Sequence, residues 1–438
     1  MKLLSMICLL FLSLTSFDDA CSQEFELGVK GNIEDPYVKQ IDKLAKHKKM
    51  QAAFQSIVEQ HKQNREELIM LTEIEAPPFM EEVRAARFAA ILKAAGADSV
   101  WIDKEGNVIA LRKGKTRKAT VALDAHLDTV FPKGTDVKVK IKGDTLFAPG
   151  IADDTRGLVM IASVLRAMEE AKIETQSDIL FTGSVGEEGL GDLRGVKHLF
   201  GSESPRIDSW ISVDGGDIGR VSTMGLGSYR YRVTFKGPGG HSWGAFGLAN
   251  PQHALGSAIH YFSIAANEFT KTGIRTSYNV GRIGGGTSVN SIAFESWMEI
   301  DMRSESPERL NEIDAIMKAS VQRALEEHNA MKRSGPSLTV DINKIGERPS
   351  GELPSTLPLI QRSMAAAEYF GEVPHLTRGS TNSNIPISKG IPAVTLGRGG
   401  KGGNAHALGE WWYDDNGDKA IQLVLLTLVS EAGMENQK

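Results

Sequence analysis

Six side chains in this sequence could carry out metal-assisted hydrolysis: His126, Asp153, Glu187, Glu188, Asp214 and His406. Their local contexts are HLD at 126–128, ADD at 152–154, EE at 187–188, VDGG at 213–216 and AH at 405–406. Two imidazoles and three carboxylates form a set that holds a pair of Zn²⁺ ions when one carboxylate bridges. Glu187 is then left over beside Glu188, and a spare carboxylate at such a site can move a proton.

Taken singly, each signal has a plainer reading. His126 and Asp128 lie two apart on an extended segment and share a face, so a carboxylate can orient a ring that binds metal through its other nitrogen. A strand-end histidine satisfied by any neighbour would look the same. Asp153 precedes a helix and can aim into a crevice to bridge two ions, or simply cap that helix. Glu187 and Glu188 repel unless a cation or a shared proton relieves them; the bland alternative is a solvated acidic turn. Asp214 stands before Gly215–Gly216, where the backbone can turn sharply. The GRGGKGG loop at 397–403 lacks the GK[ST] ending and following helix of a phosphate loop.

The elements that must position these groups favour the chemistry. ATVALDAHLD, SDILFTGSVGEE and SWISVDGG are strand-like, and GLVMIASVLRAMEEA is helical. Strand–helix–strand alternation implies an α/β fold with a doubly wound, mostly parallel sheet, in which functional groups gather at the carboxyl ends of strands. His126, Glu187, Glu188 and Asp214 all fall at such ends. Residues 35–72 and 81–95 read as helices around a Pro77–Pro78 break. From Thr223 the texture changes to a β-α-β-β-α-β order, an α+β module. Its second helix has Ser306 as cap and Pro307 at its first position. The expected organisation is a catalytic domain at 32–221, an inserted domain at 222–348, and the catalytic domain again at 349–438.

Bulk properties exclude several classes. At 438 residues, two domains are the prior. A net charge of −5 with dispersed Lys and Arg argues for no nucleic-acid partner. Lys2 and the apolar run at 3–17 have the length of a secretory signal core, too short to span a bilayer. Residues 1–21 are therefore expected to be an export signal, giving a periplasmic or extracellular protein. Cys8 and Cys21 fall in or beside it, leaving the domain without a disulfide framework or thiol nucleophile. Ala20 before Cys21 permits a lipid-attached first residue, the one route to a membrane, although Asp18 and Asp19 suit that cleavage poorly.

Assembled in this order, the chain resembles the M20 family of co-catalytic metallopeptidases and amidohydrolases over nearly its whole length after the leader. The GIADD and VDGG segments bring it nearest the peptidase T-like branch. The resemblance implies that Asp153 bridges the metals and is joined to Asp154 by a cis peptide. It implies His126 and Asp214 at one zinc, Glu188 and His406 at the other, Glu187 as general base, and Asp128 as the residue orienting His126. The inserted domain would be a lid and dimerisation domain. Its His241 would reach the partner subunit's site to polarise the scissile carbonyl, and Asn290 and Arg303 would hold the substrate's backbone and carboxylate. A guanidinium suits that last task through two parallel hydrogen bonds. Thr155–Arg156 and Asn382 depart from the family's pattern, and both leave substrate choice open.

Two Zn²⁺ against three carboxylates and one hydroxide come out near neutral, so such a site can be buried. The expected activity is hydrolysis of an amide or peptide bond in a small carboxylate-bearing substrate, such as a tripeptide cut by an aminopeptidase. Mn²⁺ or Co²⁺ could replace zinc at these ligands. Other readings stay open: an N-acyl amino acid amidohydrolase, a glutamate carboxypeptidase, or a non-catalytic peptide-binding relative.

Overall fold

Strands buried along nearly their whole length are covered on both faces, and such strands form the centre of the larger sheet. In the computed structural model, which describes residues 29–435, they are Thr120–His126, Asp178–Ser184, Ser209–Val213 and Ala393–Leu396. The expected export signal, with Cys8 and Cys21, lies outside the described residues. The four strands run parallel, in the order Asp178–Ser184, Thr120–His126, Ser209–Val213, Ala393–Leu396. Further strands, mainly antiparallel at the edges, extend the sheet to 10. The helices Arg156–Glu170 and Gly417–Ala432 both pack against Thr120–His126. The α/β architecture expected from the sequence is thus present.

At the N-terminal end, the helical stretch 35–72 is broken into Asp35–Ala45, Lys48–Glu59 and His61–Thr72. His47 restarts the chain by accepting a hydrogen bond from the Lys49 amide at 3.2 Å.

The inserted segment forms its own antiparallel sheet, ordered Thr276–Gly285, Glu295–Ser304, Gly227–Lys236, Thr339–Arg348. Glu295–Ser304 alternates strictly between half-buried and buried residues, the mark of a sheet covered on one face. The helices Pro251–Thr270 and Pro307–Met331 supply that cover, closing a core around Tyr231, Phe235, Phe262, Met298 and Met317. Ser306 caps the second helix, its Oγ accepting from the Arg309 amide at 3.2 Å. Arg220–Gly225 pairs within the larger sheet. The smaller sheet therefore begins at Gly227, a few residues beyond the expected 222, because the texture change at Thr223 falls inside a strand that still belongs to the first domain.

A third, four-stranded sheet joins Lys140–Lys142 and Thr145–Phe147 to Lys401–Gly403 and Trp411–Tyr413. It brings the segment before Asp153 beside the loop that carries His406. Among the described residues, no helix is long and apolar enough to cross a membrane.

Candidate active site

All four central strands end toward one crevice, and each hands over a functional residue. His126 is the last residue of its strand, Glu187 and Glu188 follow Ser184, Asp214 follows Val213, and His406 lies beyond Leu396. Asp153 enters from a turn ahead of Arg156–Glu170, and the Asp153–Asp154 bond is cis.

The side chains converge closely. His126 Nε2 lies 3.1 Å from Asp153 Oδ1, and His406 Nε2 lies 3.2 Å from Asp153 Oδ2 and 3.0 Å from Glu188 Oε1. Each oxygen of Asp153 therefore faces a different imidazole. His126, Asp153 and Asp214 have ligand atoms within 4.8 Å of one another, as do Asp153, Glu188 and His406, and His126, Glu187 and Glu188. The first two sets share Asp153, as expected of a bridging carboxylate.

The hydrogen bonds test whether cations fit. His126 Nδ1 stands 2.9 Å from the Asp128 carbonyl, which can only accept, so Nδ1 carries the proton. A neutral His126 then turns a lone pair at Nε2 toward a carboxylate. His406 Nε2 faces two carboxylates with, at most, one proton. Both arrangements are repulsive unless a proton or a metal ion sits between, and nitrogen and oxygen donors in this mix suit a divalent cation.

Protons fill that role when no ion is bound. Burial works against a charged His126, but its hydrogen bond to Asp153 and the nearby Asp154 and Asp128 hold it well above the usual imidazole range. Burial likewise opposes ionisation of Asp153, yet hydrogen bonds from His126 and His406 keep it well below the usual carboxylate range. Hydrogen bonds to Asp153 and Glu188 raise His406 to about 10. Burial pushes the Glu187 carboxyl up to about 8, opposed by Arg348 and reinforced by Glu188. The two imidazoles also differ in access: the His126 side chain is 2% exposed and that of His406 53%. His406 reaches its place at φ +65°, in the left-handed region, so its backbone is locally strained.

Asp128 does hold the His126 ring, but through its carbonyl and not its carboxylate, which stands 3.8 Å from Nδ1. The carboxylate instead accepts the Glu187 and Glu188 amides at 2.9 and 2.8 Å, fixing the acidic pair from below.

Two contributors carry no sequence signature. Buried Glu410 accepts from the amides of Gly150, Ala152 and Asp153 at 2.8, 2.8 and 2.9 Å, and so holds the turn that presents Asp153. Buried Arg348 donates from Nη1 to Glu187 Oε1 at 2.8 Å. Arg348 supplies the positive charge that lets adjacent carboxylates coexist.

The residues that depart from the family's pattern lie behind the site. Asn382 is buried and donates to Asp124 Oδ2 at 2.8 Å and Ser184 Oγ at 2.7 Å. Thr155 Oγ1 donates to the Gly150 carbonyl, and Arg156 stacks on Trp412.

The structure does not bring the three expected substrate contacts into this cluster. His241 and Asn290 lie side by side, both exposed, on the small ribbon of Gly240–His241 and Ser291–Ile292, where the Ser242 amide donates to the Asn290 carbonyl at 2.9 Å. Arg303 is on the open face of the smaller sheet and pairs with Asp301 at 2.8 Å.

The sequence pattern of Peptidase family M20/M25/M40 matches residues 122–430. The uncharacterized protein YqjE of Bacillus subtilis is 27% identical over 305 residues, 67% of this chain and 76% of its own length. Carboxypeptidase G2 of Pseudomonas sp. strain RS-16 is 24% identical over 309 residues, 68% of this chain and 70% of its own. The crystal structure of aminopeptidase PepT from Bacillus cereus shares the fold, with a TM-score of 0.63 at 22% identity, covering 85% of this chain and 99% of that one. Because the family match takes in most of the chain, the smaller sheet and every one of the clustered side chains, the chain belongs to Peptidase family M20/M25/M40 and is a hydrolase of that family.

Proposed function

We propose that this hydrolase cleaves an amide or peptide bond in a small substrate bearing a free carboxylate, with two divalent ions, zinc by preference, held across Asp153. The observation that carries this reading is the pair of imidazole nitrogens set against the two oxygens of one carboxylate. His126 and Asp214 would complete one site, and Glu188 and His406 the other. Ions bound there would polarise the carbonyl and lower the pKa of water.

The chain's own groups do the rest. Glu187 is the general base, and because Arg348 occupies Oε1, Oε2 is the oxygen left to take a proton and return it to the leaving amine. Asp128 holds the backbone beneath it. Arg303 would grip the substrate carboxylate, and Asn290 and His241 its backbone and scissile carbonyl.

His241, which lies beside Asn290, acts best from a second copy of the chain. Trp243, Phe246 and Val289, which neighbour them in sequence, are 87%, 70% and 103% exposed, and a cluster of large exposed apolar groups is what an interface covers. Sedimentation at micromolar concentration tests for the homodimer; a strict monomer with full activity would remove this part of the reading. We also infer export from the apolar run at 3–17, which fractionation of the producing cell checks.

The decisive assay is a panel of tripeptides, dipeptides, N-acyl amino acids and peptides ending in glutamate, run after chelation and again after restoring zinc, manganese or cobalt. Amide hydrolysis lost on chelation and regained with metal is the expected result. No gain with any divalent ion would sink the proposal. The similarity to a carboxypeptidase favours including C-terminal cleavage as the second activity on the same site.

A further inference from the structure

The loop that carries Glu187 is gripped from two domains. From the larger one, the Asp128 carboxylate holds the Glu187 and Glu188 amides. From the smaller one, Arg230 Nη1 donates to the Gly189 carbonyl at 2.6 Å, and the Glu347 amide donates to Asp192 Oδ1 at 2.7 Å. Arg348 Nη1 donates to Glu187 Oε1 at 2.8 Å, and its Nη2 to the Glu187 carbonyl. Gly186, Gly189, Asp192 and Leu193 have φ of +68°, +52°, +54° and +58°, so the loop keeps an unusual shape that its surroundings must impose.

Arg348 is the last residue of Thr339–Arg348, where the chain leaves the smaller sheet for the larger. Its guanidinium also donates to Ser380 Oγ of the larger domain at 3.1 Å. Stability alone accounts poorly for it. A buried ion pair sheds hydration that an apolar pair would not, and Arg348 Nε is buried with no hydrogen-bond partner among the described residues.

We propose that Arg348 is the positioning residue for Glu187: it fixes the rotamer of the carboxylate and ties it to the pose of the smaller domain. This rests on the reading of Glu187 as general base. Asp128 holds the Glu187 and Glu188 amides, so a rotation of the smaller domain that carries Arg348 with it pulls on the Glu187 carboxylate and carbonyl against that anchor. The base is thereby set by the same domain that carries Asn290 and Arg303.

The test compares Arg348→Met, Arg348→Lys and Glu187→Gln in the zinc-loaded full chain, with zinc binding by titration and folding by melting temperature as companion readouts. Arg348→Met should lower kcat roughly 100-fold, the cost of an ångström-scale misplacement, with KM and zinc stoichiometry held. Arg348→Lys should recover part of the loss, and added guanidinium should partly rescue Arg348→Ala. A fall in kcat under about twofold in Arg348→Met, set beside an inactive Glu187→Gln, overturns the proposal and leaves the base assignment standing. An active Glu187→Gln overturns the base assignment instead. If the Arg348 variants do not fold, Arg230→Ala and Asp192→Asn decide: both loosen the smaller domain's hold on the loop, and a kcat unchanged in both defeats the coupling.

Discussion

The two sets of functional residues are built in contrasting ways. In the larger domain three of the clustered groups have a partner behind them: the Asp128 carbonyl for His126, Glu410 for the Asp153 turn, Arg348 for Glu187. In the smaller domain, His241 and Asn290 have only ribbon neighbours, with His241 Nδ1 accepting from the Trp243 and Gly244 amides and Asn290 Oδ1 accepting from Ser288. Groups proposed to hold ions at fixed distances are preorganised by buried hydrogen bonds. Those proposed to meet a substrate stand at the surface. One chain thus brings the clustered acids and imidazoles together but leaves the proposed substrate contacts apart from them.

That contrast can be broken experimentally, most severely at the shared carboxylate. Asp153→Ala should abolish turnover and bound zinc together, read by assay and by metal analysis of the purified protein. Glu187→Gln should lower kcat by roughly 10²–10⁴ while zinc content is kept; loss of zinc as well would make Glu187 a ligand. His241→Ala, on the surface side of the comparison, should cost about 10²–10³ in kcat as a lost carbonyl donor, again with zinc intact. Activity unchanged in that variant would confine the chemistry to the larger domain.

A pH titration sharpens the same comparison without mutation. In the chelated protein His406 is raised to about 10 from 6.5 and Glu187 to about 8 from 4.5. Both bind protons more tightly folded than unfolded. Their contribution to stability is complete below the unfolded values and lost as pH climbs through the folded ones. Melting temperature should therefore fall as pH rises from about 5 to about 10, and zinc, which competes for the same lone pairs, should flatten the trend. A chelated protein that melts higher at the alkaline end would show that the cluster holds no such protons. The smallest effect belongs to the smaller domain: Ser306→Ala should lower stability by about 1 kcal/mol, seen in denaturant unfolding, with zinc affinity untouched.

How much of this was legible in the sequence depends on the range of the interactions. Largely apolar runs such as VALDA announced the central strands, and acids or histidines at their ends announced the candidate site. The β-α-β-β-α-β order after Thr223 announced the separate smaller module. Glu410 and Arg348 were not legible, because Glu410 serves an amide 257 residues away and Arg348 a carboxylate 161 residues away. No local pattern encodes such pairings. Asp128 was read as the residue that orients His126, but by its carboxylate. The spacing put a carboxylate near the ring, whereas the chain turns after the strand and offers its carbonyl there instead.

The Glu410 clasp also has a consequence for how the molecule comes into being. Chains emerge from the ribosome amino end first and fold as they go. The turn that presents Asp153 waits for Glu410, and the final imidazole is His406. A chain that stops short of these residues therefore lacks both the clasp and the second imidazole. The cluster assembles only after residue 410 has been made, long after the first strands that end at it.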